Sequence, residues 1–346
     1  MKKGVIVAAA LAGVLLLVAI AGIKAYRMYY DRKAGNFTGT VELFVRPGTD
    51  VSAVRDSLLS SGKVRNERSL LRTLSGLSAV RPGHYLVDAS SSSMYVSRML
   101  RLGWQTPVNL TLSGAIRTPG ILARKIGAQM LADSAGVADF ALCSDSLRRY
   151  GVDTTLLFTL VIPDTYQMQW TASVREIFDR FVEQRDAWWT EERRAKARAQ
   201  GLTPREVSIL ASIVDGETRY EPEMPTIAGV YLNRLRSGMR LQADPTVAYC
   251  FGYTLRRILR KHLEYDSPYN TYLYAGLPPG PISCPPKSCL EAVLSPERHN
   301  YYYFCAHPSF NGSHQFAASY AEHLQNARAF QSALTRRMRE RAEQQP

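Results

Sequence analysis

The sequence predicts an α+β protein with an N-terminal transmembrane helix, a small β–α–α–β module and a larger α+β domain. Three observations predict this. Residues 5–23 are all Val, Ile, Leu, Ala or Gly. Two short β-patterned runs then bracket two helical runs within about fifty residues. Beyond residue 106, helical stretches alternate with short apolar runs and Pro/Gly turns.

The apolar run comes first. At about 1.5 Å per residue it spans roughly 28 Å, close to the hydrocarbon thickness of a bilayer. Lys2 and Lys3 precede it, and Lys24, Tyr26, Arg27, Tyr29 and Tyr30 follow as an interfacial belt. A cleaved signal peptide is the rival reading. The run is long for one, and no small-x-small cleavage site follows it. No Cys lies near it, which excludes a lipoprotein. The expectation is an uncleaved anchor. Lys24, Arg27, Arg32 and Lys33 outnumber Lys2 and Lys3, against export by the local charge count. Long following domains cross largely regardless of that count, so the bulk of the chain is placed outside the cytoplasm.

Val41–Val45 reads as a strand, and Pro47-Gly48-Thr49-Asp50 as a turn into a helix cap. Val51, Val54, Leu58 and Leu59 recur at helical spacing, and Gly62 stops that helix. Asn66 caps a second helix carrying Leu70, Leu71, Leu74 and Leu77, and Pro82-Gly83 turns into a strand at His84–Val87. This order is similar to LysM-type glycan-binding modules. A further helix is expected over Ser92–Leu102, a strand over Val108–Leu112, a helix over Pro119–Ala132, an apolar run over Leu156–Ile162, and a charged helical region over Ile177–Gln200. The Trp188-Trp189 pair in that region can grip sugars or pack in a core. The predicted division is 1–33 cytoplasmic tip and anchor, 34–105 LysM-like module, 106–162 connecting α/β segment, 163–335 catalytic domain and 336–346 charged tail.

Composition narrows the function classes. Of 346 residues, 43 are Lys or Arg and 30 Asp or Glu, giving +13 and an anionic partner as the natural complement. The basic residues are scattered, and no RNP, zinc-finger or basic-zipper pattern is present, so nucleic acid is not expected as a partner. The five Cys are an odd number, against a complete disulfide framework. Cys284 and Cys289 can lie close, but spacing alone does not pair them. His299, His307 and His314 match no zinc-ligand spacing, so no metal is expected. No P-loop, dinucleotide or G-x-S-x-G motif is present.

The chemistry concentrates after residue 203. Thr203-Pro204-Arg205-Glu206 is a helix start, with Thr203 as N-cap, Pro204 at the first helical position and Glu206 closing a capping box. On a wheel at about 100° per residue from Val207, the apolar arc runs from about 200° through 300° to 40°. Glu217 falls inside it, near 280°. Asp215 falls near 80°, toward Ser208 and Ser212. The wheel therefore predicts an exposed Asp215 of ordinary acidity and a Glu217 against apolar walls, with raised pKa. Such a carboxylic acid can protonate a glycosidic oxygen. The alternative is a helix-end Glu that reaches water or pairs with an Arg.

Leu210-Ala-Ser-Ile-Val-Asp-Gly-Glu-Thr218 resembles the active-site helix of the endolytic murein transglycosylases, the YceG-like or MltG family. Further motifs follow that family's order: Pro163-Asp-Thr-Tyr166, Asn233-Arg234-Leu235, Met239–Val247, Ser267–Tyr272, Gly276–Ile282, and His314 with Phe316. The similarity covers about Pro163 to Phe330. The family's motif usually reads Glu-Lys-Glu with the second Glu catalytic, which is Glu217 here; Asp215 and Gly216 depart from it.

The resemblance implies a lytic reaction without cofactor. Glu217 protonates the oxygen between MurNAc and GlcNAc, then takes the proton of the MurNAc C6 hydroxyl, leaving a 1,6-anhydro-MurNAc end. The implied setting is the bacterial inner membrane, with the catalytic domain periplasmic, peptidoglycan strands as substrate and peptidoglycan synthases as neighbours. Substrate contacts are expected from Gln242 and Asp244, from Tyr269, Asn270, Thr271 and Tyr272, and from Asn233; Arg234 can meet an acidic peptide stem. The alternatives are a membrane-anchored, non-catalytic peptidoglycan-binding scaffold and a muramidase-type hydrolase, whose products carry an added water.

Overall fold

A computed structural model describes residues 2–343. Residue 1 and the last three residues of the expected charged tail, 344–346, lie outside the described residues, as do the side chains at 2, 3, 5 and 342. The chain divides into two compact units. The first takes in the chain to Leu110, with Gln129–Leu131 and Gln167–Ala172; the second takes in Thr111–Ala128, Ala132–Tyr166 and the chain from Ser173 onward.

In the first unit, α1 (Lys2–Arg32) contains a helix long and apolar enough to cross a membrane. Its aliphatic side chains stand in the open, Leu15 at 68% exposure. Its last turn is tied down by Asp31, which accepts from Arg72 and from Ser69 at 2.6 Å each. The expected order follows: β1 (Val41–Val45), α2 (Val51–Ser60), α3 (Glu67–Leu74), β2 (Gly83–Val87) and α4 (Ser93–Leu102). Alternation along β1 turns Val41, Leu43 and Val45 inward. β1 pairs antiparallel with β2, Val41 opposite Val87 and Val45 opposite Gly83. Asp50, Asn66 and Ser92 each cap their helix through a side-chain oxygen. Phe37, Leu58, Leu70, Tyr85, Val96 and Leu100 fill the core between them.

β3 (Val108–Thr111) pairs with β4 (Thr165–Met168), a strand the sequence patterning did not reveal. In the second unit, α5 (Pro119–Gly127) ends before the expected Ala132. The chain folds back there into α6 (Ser134–Leu142): a Cβ on Gly127 would come within 2.8 Å of the Ser134 nitrogen. α7 (Ser144–Arg148) follows, and the run expected over Leu156–Ile162 opens as a 3-10 helix at Thr154–Thr159. The charged region is two helices, α8 (Val174–Trp188) and α9 (Glu191–Ala199), because Thr190 caps a new start. Trp188 and Trp189 are buried, packed edge to face, so core packing is their role.

Helix α10 (Pro204–Glu217) runs through the middle of this unit, with the expected capping box. α11 (Met224–Arg236), α12 (Asp244–Cys250) and α13 (Lys287–Leu294) pack on it. Leu210, Ile213 and Val214 are fully buried among Ile227, Tyr231, Leu241 and Val293. Each such side chain contributes about 1.5–3 kcal/mol. A hairpin of β5 (Tyr303–Ala306) and β6 (His314–Ala317) precedes α14 (Tyr320–Glu343). α14 runs through most of the expected charged tail, to Glu343. Among the described residues the cysteines are free. Cys284 donates to the Val161 carbonyl and Cys289 lies against the Met224 sulfur.

Candidate active site

The end of α10 is built by burial all round it. Every residue from Val207 to Asp215 is buried, so a two-sided wheel does not describe this helix. The expectation for Asp215 is corrected. The residue is 5% exposed, and its carboxylate accepts from Ser283 Oγ at 3.1 Å and faces Arg219 at 3.7 Å. Burial raises its pKa, with Arg219 and Ser283 pulling the other way. The serine face that looked solvent-bound is covered by the loop before α13: Ile282 N–H donates to Ser212 Oγ at 3.0 Å.

Glu217, two residues on, is half-buried. Tyr231 of α11 donates to its Oε1 at 2.5 Å. Asp244 at the start of α12 and Arg234 of α11 act on it electrostatically. Desolvation by burial dominates and pushes its pKa up to about 7. The Tyr231 hydrogen bond and Arg234 oppose that rise, and the Asp244 charge adds to it. The expected walls of aliphatic side chains are thus partly polar. Helix α10 breaks at this point, with Thr218 extended at φ −140° and ψ 148°.

The other expected site residues divide into two groups. Asp244 is exposed and accepts from the Tyr272 hydroxyl at 2.7 Å. Gln242 is exposed and left-handed, φ 49°, pinned by its N–H to the Thr271 carbonyl at 3.0 Å. Such a backbone costs roughly 1 kcal/mol at a residue with a Cβ. Tyr269 is half-buried, 4.5 Å from the Tyr249 ring.

In the second group the polar side-chain atoms are hydrogen-bonded to backbone groups. Asn270 is fully buried; its amide donates to Leu263 and Tyr265 carbonyls and accepts from Tyr272 N–H. Thr271 Oγ1 accepts from Ala243 N–H at 2.9 Å and meets Thr246 Oγ1 at 2.9 Å. Asn233 donates to the His299 and Tyr301 carbonyls. Arg234, read from the sequence as able to meet an acidic peptide stem, is 7% exposed and donates to the Tyr302 and Leu241 carbonyls. These four hold the loops that frame Glu217. Tyr231 was not anticipated. Its place three residues before Arg234, on one helical face, is the only signal the sequence carried.

The chain has relatives. The sequence model of the YceG-like family matches residues 43–329. The chain belongs to the YceG-like family. A Bacillus subtilis protein named endolytic murein transglycosylase is 36% identical over 151 residues, covering 44% of this chain and 41% of that protein. A Streptococcus pneumoniae protein of the same name is 24% identical over 321 residues, covering 83% of this chain and 57% of that protein. The chain thus spans about half the length of the curated relatives it matches. A YceG-like protein of Listeria monocytogenes, solved by crystallography, superposes with a TM-score of 0.53 at 25% identity, covering 83% of this chain and 98% of that one.

Proposed function

We propose that this YceG-like chain is a lytic transglycosylase of peptidoglycan, with Glu217 as its single acid and base. The observation that carries the reading is Glu217 at the end of α10, half-buried, its carboxyl bonded by Tyr231 and its pKa raised by burial to about 7. An acid of that strength holds its proton near neutral pH and still loses it readily. In the first half of the reaction the carboxyl gives its proton to the oxygen joining MurNAc to GlcNAc, and the C1–oxygen bond breaks. In the second, the carboxylate takes the MurNAc C6 hydroxyl proton as O6 bonds to C1. The 1,6-anhydro end forms, water does not enter, and Glu217 regains its proton.

Tyr231 orients the carboxylate and stabilises it between the two transfers. In this reading Asp244, Tyr272, Gln242 and Tyr269 supply contacts to sugar hydroxyls, acetamido groups and pyranose faces. The names of the relatives support the substrate class. The β–α–α–β order of the first unit, with its antiparallel strand pair, supports a LysM-like glycan-binding part. The apolar helix supports a single-pass anchor in the inner membrane, with the bulk on the periplasmic side near the peptidoglycan synthases, where cleavage would end nascent strands.

Glu217→Gln tests the reading, since it keeps shape and removes the acid. Purified glycan strands treated with the wild-type chain should yield anhydro-MurNAc ends by mass spectrometry, and the variant should yield none. Products carrying an added water, or undiminished release by the variant, would overturn it.

A further inference from the structure

Gly216 lies in the last turn of α10, between the buried Asp215 and Glu217. A Cβ built on Gly216 would lie 2.7 Å from Cγ of Pro245 and closer still to its Cβ, with Ile282 Cδ1 at 3.8 Å. Carbon atoms do not approach that closely, and a proline ring, fused to its backbone, cannot swing aside. Pro245 cannot retreat with its helix either. The start of α12 is pinned on its other side by Thr271, which accepts from Ala243 N–H through Oγ1 and from Gln242 N–H through its carbonyl, and by Thr246 Oγ1 to the Ala243 carbonyl. Thr246 and Thr271 are both buried. Any side chain at 216 must therefore displace the end of α10, and Glu217 with it.

We infer that Gly216 is a positioning residue: its missing side chain lets Pro245 close against α10 and so fixes Asp244 and Tyr272 beside Glu217. The glycine otherwise has no advantage in this place. In a helix it loosens the backbone, and alanine would be the better helix former. Close approach reverses that preference. The neighbouring Asp244, hydrogen-bonded by Tyr272 at 2.7 Å, is the group whose spacing from the acid this contact sets. The inference rests on the transglycosylase reading only for its kinetic consequence.

The test uses the full chain in detergent, as wild type, Gly216→Ala, Pro245→Gly and the double variant, each checked for cooperative thermal unfolding. With carbon-13 glutamate labelling, the Glu217 carboxyl is followed through a pH titration. Gly216→Ala should lower its midpoint, because Asp244 moves away, and adding Pro245→Gly should move it back. Strand cleavage should fall roughly tenfold to a hundredfold in Gly216→Ala, mostly in kcat, and recover in part in the double variant. An unchanged midpoint in Gly216→Ala, or a shift that Pro245→Gly does not relieve, overturns the inference. Absence of cleavage by the wild-type chain would instead sink the transglycosylase reading, and the titration would still decide the role of Gly216.

Discussion

The Tyr231 hydroxyl donates a 2.5 Å hydrogen bond to Glu217 Oε1 from a ring that is 1% exposed. A donor held this way favours the carboxylate over the acid. Tyr231→Phe removes the donor and keeps the ring. A hydrogen bond to a charged group is worth about 1.5–3 kcal/mol, so cleavage should fall roughly tenfold to a hundredfold. The Glu217 pKa should rise further, moving the alkaline limb of the pH–rate profile upward. A slower enzyme with that limb unmoved would mean that Tyr231 acts only through packing.

The raised pKa of Glu217 also ties stability to pH. Its folded value of about 7 lies above the ordinary 4.5. The fold therefore favours the protonated form, and the stability linked to this group is full below about 4.5 and lost as pH rises through about 7. Glu217→Gln is free of that loss. Relative to wild type it should gain up to about 3 kcal/mol between pH 4 and pH 8, read from urea unfolding at each pH. A stability difference constant across that range would contradict the burial of this carboxyl.

Asn270 is a scaffold residue by its hydrogen bonds. Its amide donates to the Leu263 and Tyr265 carbonyls at 3.0 and 2.8 Å and accepts from Tyr272 N–H at 3.0 Å. Asn270→Ala leaves those groups without partners, at about 1–3 kcal/mol of stability each if they stay dry. Thermal unfolding should come several degrees earlier, with cleavage impaired through misplacement of Tyr272. A variant as stable as wild type but with a higher KM would return Asn270 to the substrate.

The apolar helix makes a separate prediction. The full chain should stay with membranes through a high-salt wash and come off only in detergent, as a transmembrane helix requires. Protease added outside spheroplasts should then digest everything beyond Lys33. Protection of that bulk would reverse the proposed orientation.

Local pattern was enough for the membrane-length apolar helix, the β–α–α–β order and the cap at Thr203, because each depends on neighbours in sequence. It failed where a chain neighbour was outvoted by a spatial one. Asp215 looked exposed on the wheel, yet Ser283 and Arg219 enclose it. The backbone partners of Asn270 and Thr271 were likewise not legible, since they come from segments that meet only in the fold. β4 was hidden because four residues of TYQM carry little periodicity by themselves.

The sequence by itself determined that this chain carries a membrane-length apolar helix, a capped helix ending in Asp215-Gly216-Glu217, and the ordered motifs of its family. Only the tertiary structure decided what surrounds that last glutamate: Tyr231 from 14 residues downstream, Arg234 and Asp244 acting at a distance, and Pro245 lodged where Gly216 has no side chain. The reason is physical. Burial and hydrogen bonding set the acidity of a carboxyl, and both are supplied by elements that meet only when α10, α11 and α12 pack.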